Sequence, residues 1–485
     1  MATTRRTFLA RSLATTSAVA AAGSSLAAAA DAGDESSRQA SGVKVGEVSA
    51  NSAIVWTRLT REARRAGPMF RVEGNAKTPE KSLPAPVEQL EGACPGAAGQ
   101  VRVQLAVEGS SSPIHTTPWV AVDAATDFTH AFQLTSLTPG TLYHYKIETR
   151  GMDGAAHGPV RGKFRTAPLA EQPTNVRLGF INCQKFHSRE QDDGFHIYES
   201  ILKREPTFVV FTGDNVYYDS DRPRAMSAEL ARYHWQRCYS LPRHRKLLES
   251  TSSYWLKDDH DVHSDDAYPQ RSGNKMGEFT FAQGMEIYRQ QVPLSTPYRT
   301  FRWGRDLQIW LVEGRDFRSS NSAPDGPEKS IWGTEQKAWL KQTMQASDAT
   351  WKLLLSPTPL VGPDRKNKAD NHSNETFAHE GNEMRQWFSK QLGERFFVVT
   401  GDRHWQYHSV DPATGLNEFS IGAASAGNAG GTPGYDPTRH KFHLVQGGFL
   451  GIDVSRKGNQ SQLTFELCNV QGKVAYRHTV EATPS

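Results

Sequence analysis

Two rhythms divide the chain. Between residues 41 and 170, runs such as VKVGEVSANSAIVWTRL, FRVEG, VRVQLAVEG, THAFQLTSL, TLYHYKIETR and GKFRTAP alternate apolar and polar positions, with Gly, Pro and Ser between them. A period of two punctuated by turn residues predicts half-buried strands, and many short strands in succession predict an all-β sandwich. The run from Leu137 to Tyr145 places a tyrosine near a strand start, where a hydroxyl pins the corner of such sandwiches. Gly67 to Ala98, rich in Pro, Gly and Ala, reads as a long loop insertion.

After Asn175 the apolar runs become nearly continuous: VRLGFINC, TFVVFTGD, YWLKDD, LQIWLVEG, WKLLLSPTP and FFVVTGD. Strands buried on both faces read this way. Between them lie segments with helical spacing, among them GFHIYESILKRE, AELARYHWQRCY, GTEQKAWLKQTM and MRQWFSKQL. Strands alternating with helices predict an α/β layered domain over residues 175–485, joined to the sandwich at Leu169 to Thr174. From Asn417 the pattern returns to β. Tyr233, Trp235, Tyr239, Trp332 and Trp339 sit at helical spacing, which favours core packing over a substrate groove.

Composition narrows the class. The 485 residues are 22% charged and 37% hydrophobic, which excludes disordered and collagen-like chains. Lys+Arg 56 against Asp+Glu 52 gives a net charge of +4, no footprint for nucleic acid. Much of that excess sits in the first thirty residues, which hold Arg5, Arg6 and Arg11 and no acid. A cationic start, an Ala-rich apolar stretch and small residues before Asp31 read as an export signal over residues 1–30, and Arg5-Arg6 followed by Thr7, Phe8 and Leu9 looks like the twin-arginine class. Residues 31–40 read as a polar linker. No later stretch approaches the roughly 18 apolar residues of a membrane span, so the expectation is a periplasmic or secreted protein handled by the twin-arginine machinery.

The chemistry lies at the strand ends, where α/β sheets bind ligands. Asn182-Cys183-Gln184, Asp214 and Tyr217, Asp258-Asp259-His260-Asp261, and Asp402-Arg403-His404 each follow an apolar run, and Glu313-Gly314-Arg315 with Arg318 follows another. A single Asp there is a turn residue and a lone Cys is core. Carboxylates, a thiol, a phenol and imidazoles together would repel or stay unsatisfied unless cations held them. Thiolate with phenolate suits a trivalent or borderline metal such as iron, and clustered Asp suits calcium. Two such metals predict a hydrolase of phosphate esters that uses a metal-activated hydroxide.

Those motifs resemble the alkaline phosphatase D-like metallophosphatases over nearly the whole mature chain, with residues 41–170 similar to that family's fibronectin/Ig-like N-terminal domain. The resemblance implies an αββα metallophosphatase sandwich in 175–485, iron(III) and calcium (Fe3+, Ca2+), and hydrolysis of phosphate mono- or diesters, small-molecule or lipid-derived. It implies Cys183 and Tyr217 as iron ligands, Asp214 as the bridge, Asp259 and Asp402 on the calcium side, and His404 as a further ligand or supporting partner. By the same resemblance His260 is the general acid, Arg315 grips phosphoryl oxygens with Arg318 beside it, and Asn182 stands in a substrate-binding position where the family has Ser. Two departures bear on substrate: Glu313-Gly314 replaces Asp-Thr, and Asp265-Asp266 replaces two Asn. An inward Glu313 would favour a less anionic leaving side.

With Cys183 as a ligand, Cys94, Cys238 and Cys468 leave room for at most one disulfide. Two other readings remain: a phospholipase D-like phosphodiesterase, and a non-catalytic surface binding protein on the same fold.

Overall fold

The computed structural model describes residues 36–72, 82–110, 112–271 and 274–483, so the predicted leader lies outside the described residues. Eight strands precede residue 170: β1 (Val43–Gly46), β2 (Ala53–Arg58), β3 (Gly99–Val107), β4 (His115–Thr116), β5 (Val120–Val122), β6 (Thr129–Leu134), β7 (Leu142–Gly151) and β8 (Val160–Arg165). β3, β7 and β8 with the short β4 and β5 form one sheet, and β1, β2 and β6 lie side by side in another. Alternate residues of β3 and β7 are buried, as a one-sided strand requires. The corner is pinned by Tyr143, whose hydroxyl accepts from Thr138 N at 2.9 Å.

The chain continues through β9 (Val176–Ile181), α1 (His196–Leu202), β10 (Phe208–Thr212), α2 (Ala228–Tyr239), α3 (Pro242–Leu248), β11 (Ser252–Leu256), the single turn α4 (Asp259–Val262) and α5 (Phe281–Gln291). Next come β12 (Arg299–Trp303), β13 (Leu307–Leu311), α6 (Gly333–Gln345), β14 (Trp351–Ser356), α7 (Ala378–Leu392) and β15 (Phe396–Thr400). β16 (Gln406–Val410), β17 (Asn417–Ile421), β18 (His440–Leu444), β19 (Gly448–Lys457), β20 (Gln460–Asn469) and β21 (Val474–Ala482) complete it.

These strands make two mixed sheets, ordered β21-β20-β19-β9-β10-β11-β1-β2-β6 and β12-β13-β14-β15-β17-β16-β18. The first crosses the boundary read at 169–174: β1 pairs parallel with β11, Val45 opposite Ser252, so three strands of the N-terminal sandwich extend the central sheet. The sheets face each other across ring contacts such as Phe419 with Phe465 (4.1 Å) and Phe208 with Trp303 (4.9 Å). In β10, Phe208 and Val210 enter this inner core, whereas Val209 and Phe211 pack with residues of α1, α2, α3 and α5. On the second sheet Trp310, Leu354 and Val398 meet α6 and α7. Both faces are therefore covered, which is why these runs are apolar throughout.

FRVEG does not form a strand in its described part. Phe70 closes a 3-10 turn, Arg71 pairs with Glu91 at 2.8 Å, and Val72 packs with Leu90, Ala93 and Tyr233. The insertion thus docks on α2, where the Tyr233 hydroxyl donates to Glu91 O at 2.8 Å. Trp235, Tyr239 and Trp332 are core, and all four cysteines are buried and unpaired.

Candidate functional site

Four turns build the site, each leaving the end of a central strand. Cys183 after β9, Asp214 after β10 and Asp402 after β15 all have left-handed backbones, with φ of 51°, 53° and 61°. Such conformations cost about 1 kcal/mol or more each and persist where the surroundings fix them. The turns are also crowded: a Cβ on Gly213 would lie 2.7 Å from Asp258 Cβ, and one on Gly401 would lie 2.5 Å from Thr212 O. Only glycine fits there, and its neighbours are thereby pressed together.

The side chains converge. Cys183 Sγ lies 3.3 Å from Asp214 Oδ2, and the Tyr217 hydroxyl lies 3.0 Å from that oxygen and 3.2 Å from His404 Nε2. Ligand atoms of Cys183, Asp214 and His404 lie within 4.8 Å of one another, as do those of Asp214, Asp259 and His260, and those of Asp259, Asp266 and Asp370. Burial, then the neighbouring Asp214 carboxylate, pushes the Cys183 thiol well above its usual range. Burial also raises Asp214, reinforced by Asp259, Asp258 and Asp261 against the opposing charge of His260. Asp214 Oδ1 is buried with no hydrogen-bond partner. A thiol, a phenol and a carboxyl that resist ionisation, around an unpartnered oxygen, form a donor set that a cation would complete. The residues present therefore fit a metal.

His260 is oriented from behind. Its Nδ1 lies 2.6 Å from Asp219 Oδ1, Asp265 N donates to the other Asp219 oxygen at 3.0 Å, and its ring stacks on Tyr217 with centroids 4.4 Å apart. Burial opposes its charge, but Asp219, Asp259 and Asp214 outweigh that and raise its pKa well above the ordinary value.

The expected substrate-side residues turn inward instead. Arg315 is fully buried; its Nε donates to Asp258 Oδ1 at 2.5 Å, and Nη2 lies 3.7 Å from Asp259 and 3.9 Å from Asp370. Arg318 donates to Asp370 O and to Asn321 Oδ1, each at 2.6 Å. Asn182 Oδ1 accepts from Asp402 N at 3.2 Å, linking two strand ends. Glu313 is paired with Lys257 at 2.9 Å and Arg299 at 3.4 Å, away from the chemistry. A Cβ on Gly314 would sit 3.0 Å from Pro357 Cγ, a tight contact.

Above the donors opens a cleft of about 590 Å³. Asp214, His260, Asp402 and His404 line it, with Arg365 and Lys368 from one loop and Gly427 to Gly431 from another. The glycine-rich loop is tied to the site by Asn428 Nδ2 to Cys183 O (3.3 Å) and Gly430 N to His404 O (3.1 Å). Sequence reasoning left that loop without a role and missed Asp219, Arg365, Lys368 and Asp370, all of which lie in turns without periodicity. A larger hollow of about 660 Å³, lined by Arg61, Arg65 and Glu88 among others, holds none of these ligand groups.

Two facing sheets with helices outside and clustered polar side chains at the strand ends define the class, an α/β protein with the architecture of solved phosphatases. A structure of PhoD superposes with a TM-score of 0.70 at 16% identity, covering 93% of this chain and 91% of that one. The purple acid phosphatase PPD1 from yellow lupin (Lupinus luteus) seeds gives 0.60 at 11% identity, covering 90% and 73%. The chain belongs to the PhoD-like phosphatase family: residues 178–447 match the model of that family and residues 25–168 match its N-terminal domain. Alkaline phosphatase D of Bacillus subtilis (strain 168) is 22% identical over 354 residues, 64% of this chain and 54% of the relative, so the chain spans about half the length of that curated relative. Among the described residues no helix is long and apolar enough to cross a membrane.

Proposed function

We propose that this protein is an exported, metal-dependent phosphoesterase that cleaves phosphate mono- or diesters. The observation that carries the reading is the convergence of Cys183, Asp214, Tyr217 and His404 beneath an open cleft lined by His260. Cys183, Tyr217, Asp214 and His404 would hold a trivalent ion, for which thiolate and phenolate favour iron(III), and Asp259 would serve calcium beside it. Asp402, next to His404 in the cleft, would join the calcium side. Cations there supply Lewis-acid polarisation of a phosphoryl oxygen and lower the pKa of a nearby water.

The chain's own groups do the rest. Asp219 holds Nδ1 of His260, so the proton available to a leaving oxygen is on Nε2. The Asp219 carboxylate on Nδ1 favours the protonated imidazole, the form a general acid needs. Arg315 neutralises Asp258 and steadies the Asp259 side from within. The Arg5-Arg6 pair and Ala-rich stretch of the first thirty residues support delivery to the periplasm or exterior through the twin-arginine pathway.

The test combines elemental analysis of the matured protein with a panel of nitrophenyl phosphate, its diester and phosphatidylcholine. Turnover of at least one ester, lost with the metals and restored by iron and calcium, is the expected result. Metal-free protein as active as the loaded one, or metal-loaded protein inert on all three, would sink the reading.

A further inference from the structure

Which cation meets the substrate is reassigned by the geometry. Arg315 and Arg318 are committed to carboxylates and carbonyls beneath the surface. Two other cations line the cleft, Arg365 and Lys368. Lys368 is engaged, its Nζ 2.8 Å from Asp266, 3.2 Å from Asp265 and 3.7 Å from Asp370. Arg365 is engaged far less. Its nearest acid is Asp364, whose Oδ1 lies 3.8 Å from Nε, an ion-pair distance beyond hydrogen-bond range; Oδ1 accepts from Arg365 N at 2.6 Å, and Oδ2 is taken by Arg403 Nη1 at 2.6 Å and Asn371 Nδ2 at 2.8 Å. Among the described residues the Arg365 guanidinium makes no hydrogen bond; Nε is shielded without a partner, while the side chain is 37% exposed.

The backbone that carries Arg365 is held in place. Lys368 N donates to Arg365 O at 3.1 Å, and Asn374 Nδ2 donates to Lys368 O at 2.5 Å, which closes the loop on itself. On the other side stands Gly431, with φ of 72°; a Cβ there would lie 3.2 Å from Arg365 Nη1 and 3.6 Å from Cζ. The glycine-rich loop therefore backs the guanidinium without a side chain.

We propose that Arg365, seated against Gly431, is the residue that binds the non-bridging oxygens of the substrate's phosphate. This rests on the phosphoesterase reading above. A planar guanidinium with its donors unspent matches phosphoryl oxygens bidentately, and a pre-placed one loses little entropy on binding.

The experiment measures inorganic phosphate binding by calorimetry and steady-state hydrolysis of nitrophenyl phosphate, on full-length matured protein with its metals quantified. Arg365→Gln should weaken phosphate binding about tenfold or more and raise KM alike, as loss of a charge-assisted pair does, with kcat much less affected and metal content unchanged. Gly431→Ala should weaken phosphate in the same direction, by less, with no charge removed. Unchanged phosphate affinity in Arg365→Gln overturns the proposal, and so does a loss of affinity that tracks loss of metal. Arg365-dependent phosphate binding in a protein that turns over no ester would refute the phosphoesterase reading and still support Arg365 as the phosphate site.

Discussion

Replacing Glu418 with glutamine tests whether one buried carboxylate anchors the loop that presents Arg365. Glu418 lies on β17 with no exposed surface, and its two oxygens accept four hydrogen bonds. Leu360 N and Val361 N donate to Oε2 at 2.7 and 2.9 Å; Gly362 N and the Tyr407 hydroxyl donate to Oε1, both at 2.8 Å. Glutamine keeps one acceptor and puts an N–H2 where the other stood. With its oxygen at the Oε2 position, the new donor faces the Gly362 N–H; in the opposite flip it faces both Leu360 and Val361. At least one buried N–H is left without an acceptor, about 1–3 kcal/mol, and the retained bonds change from charge-assisted to neutral, roughly another 1–2 kcal/mol. Glu418→Gln should therefore lower the unfolding free energy by about 2–5 kcal/mol, read from denaturant titration. Because residues 360–362 lead directly to Arg365, KM for a phosphate ester should rise in the same variant while kcat changes less. A variant within about 0.5 kcal/mol of the parent and with unchanged KM would refute the anchoring argument.

Three further outcomes follow from other parts of the molecule. If iron(III) occupies the Cys183 site, the matured protein absorbs visible light through its thiolate and phenolate, and Cys183→Ser or Tyr217→Phe removes that band with the bound iron; an unaltered spectrum in both variants contradicts the ligand set. Asp127→Ala leaves Arg58, fully buried and paired to it at 2.9 Å, without its counter-ion, and should cost about 3–5 kcal/mol of stability in denaturant titration; a loss under about 1 kcal/mol would refute the pairing. Burial alone would raise the Glu380 carboxyl, but His372 at 2.9 Å, Ser330 and Ile331 N bring it down to about 2. A carboxyl depressed on folding stabilises above its unfolded value of about 4.5 and loses that contribution as pH falls towards 2. The loss is on the order of 3 kcal/mol, and the acid limb of the unfolding midpoint should flatten in Glu380→Gln; an equally steep limb would refute the pairing.

What the sequence disclosed and what it withheld divide along a physical line. Periodicity is local, so the apolar runs that became β9, β10, β11, β13, β14 and β15 and the helices at residues 196–202, 228–239 and 333–345 were legible. The strand-end placement of Cys183, Asp214, Tyr217, Asp259, His260, Asp402 and His404 was legible too, because each sits just beyond such a run. The helix at residues 281–291 went unread although Thr280 and Gln283 form a reciprocal capping box at its start. Partnership across the fold is not local. Nothing in the run Glu313-Gly314-Arg315 says that Asp258, 57 residues away in sequence, will hold the Arg315 guanidinium inside the protein. Once that pair forms, Arg315 is enclosed: its Nη2 lacks a hydrogen-bond partner but has no exposed surface, which is why an exposed cation is proposed to meet the anion. Arg365 is proposed for that role because one Asp364 oxygen accepts from Arg365's own backbone N and the other is held by Arg403 and Asn371, an arrangement that exists in the folded chain alone. The β1 to β11 pairing is of the same kind: a strand that reads as part of a separate sandwich finds its hydrogen bonds at the open edge of the central sheet, and a domain boundary drawn from composition is crossed by the ladder.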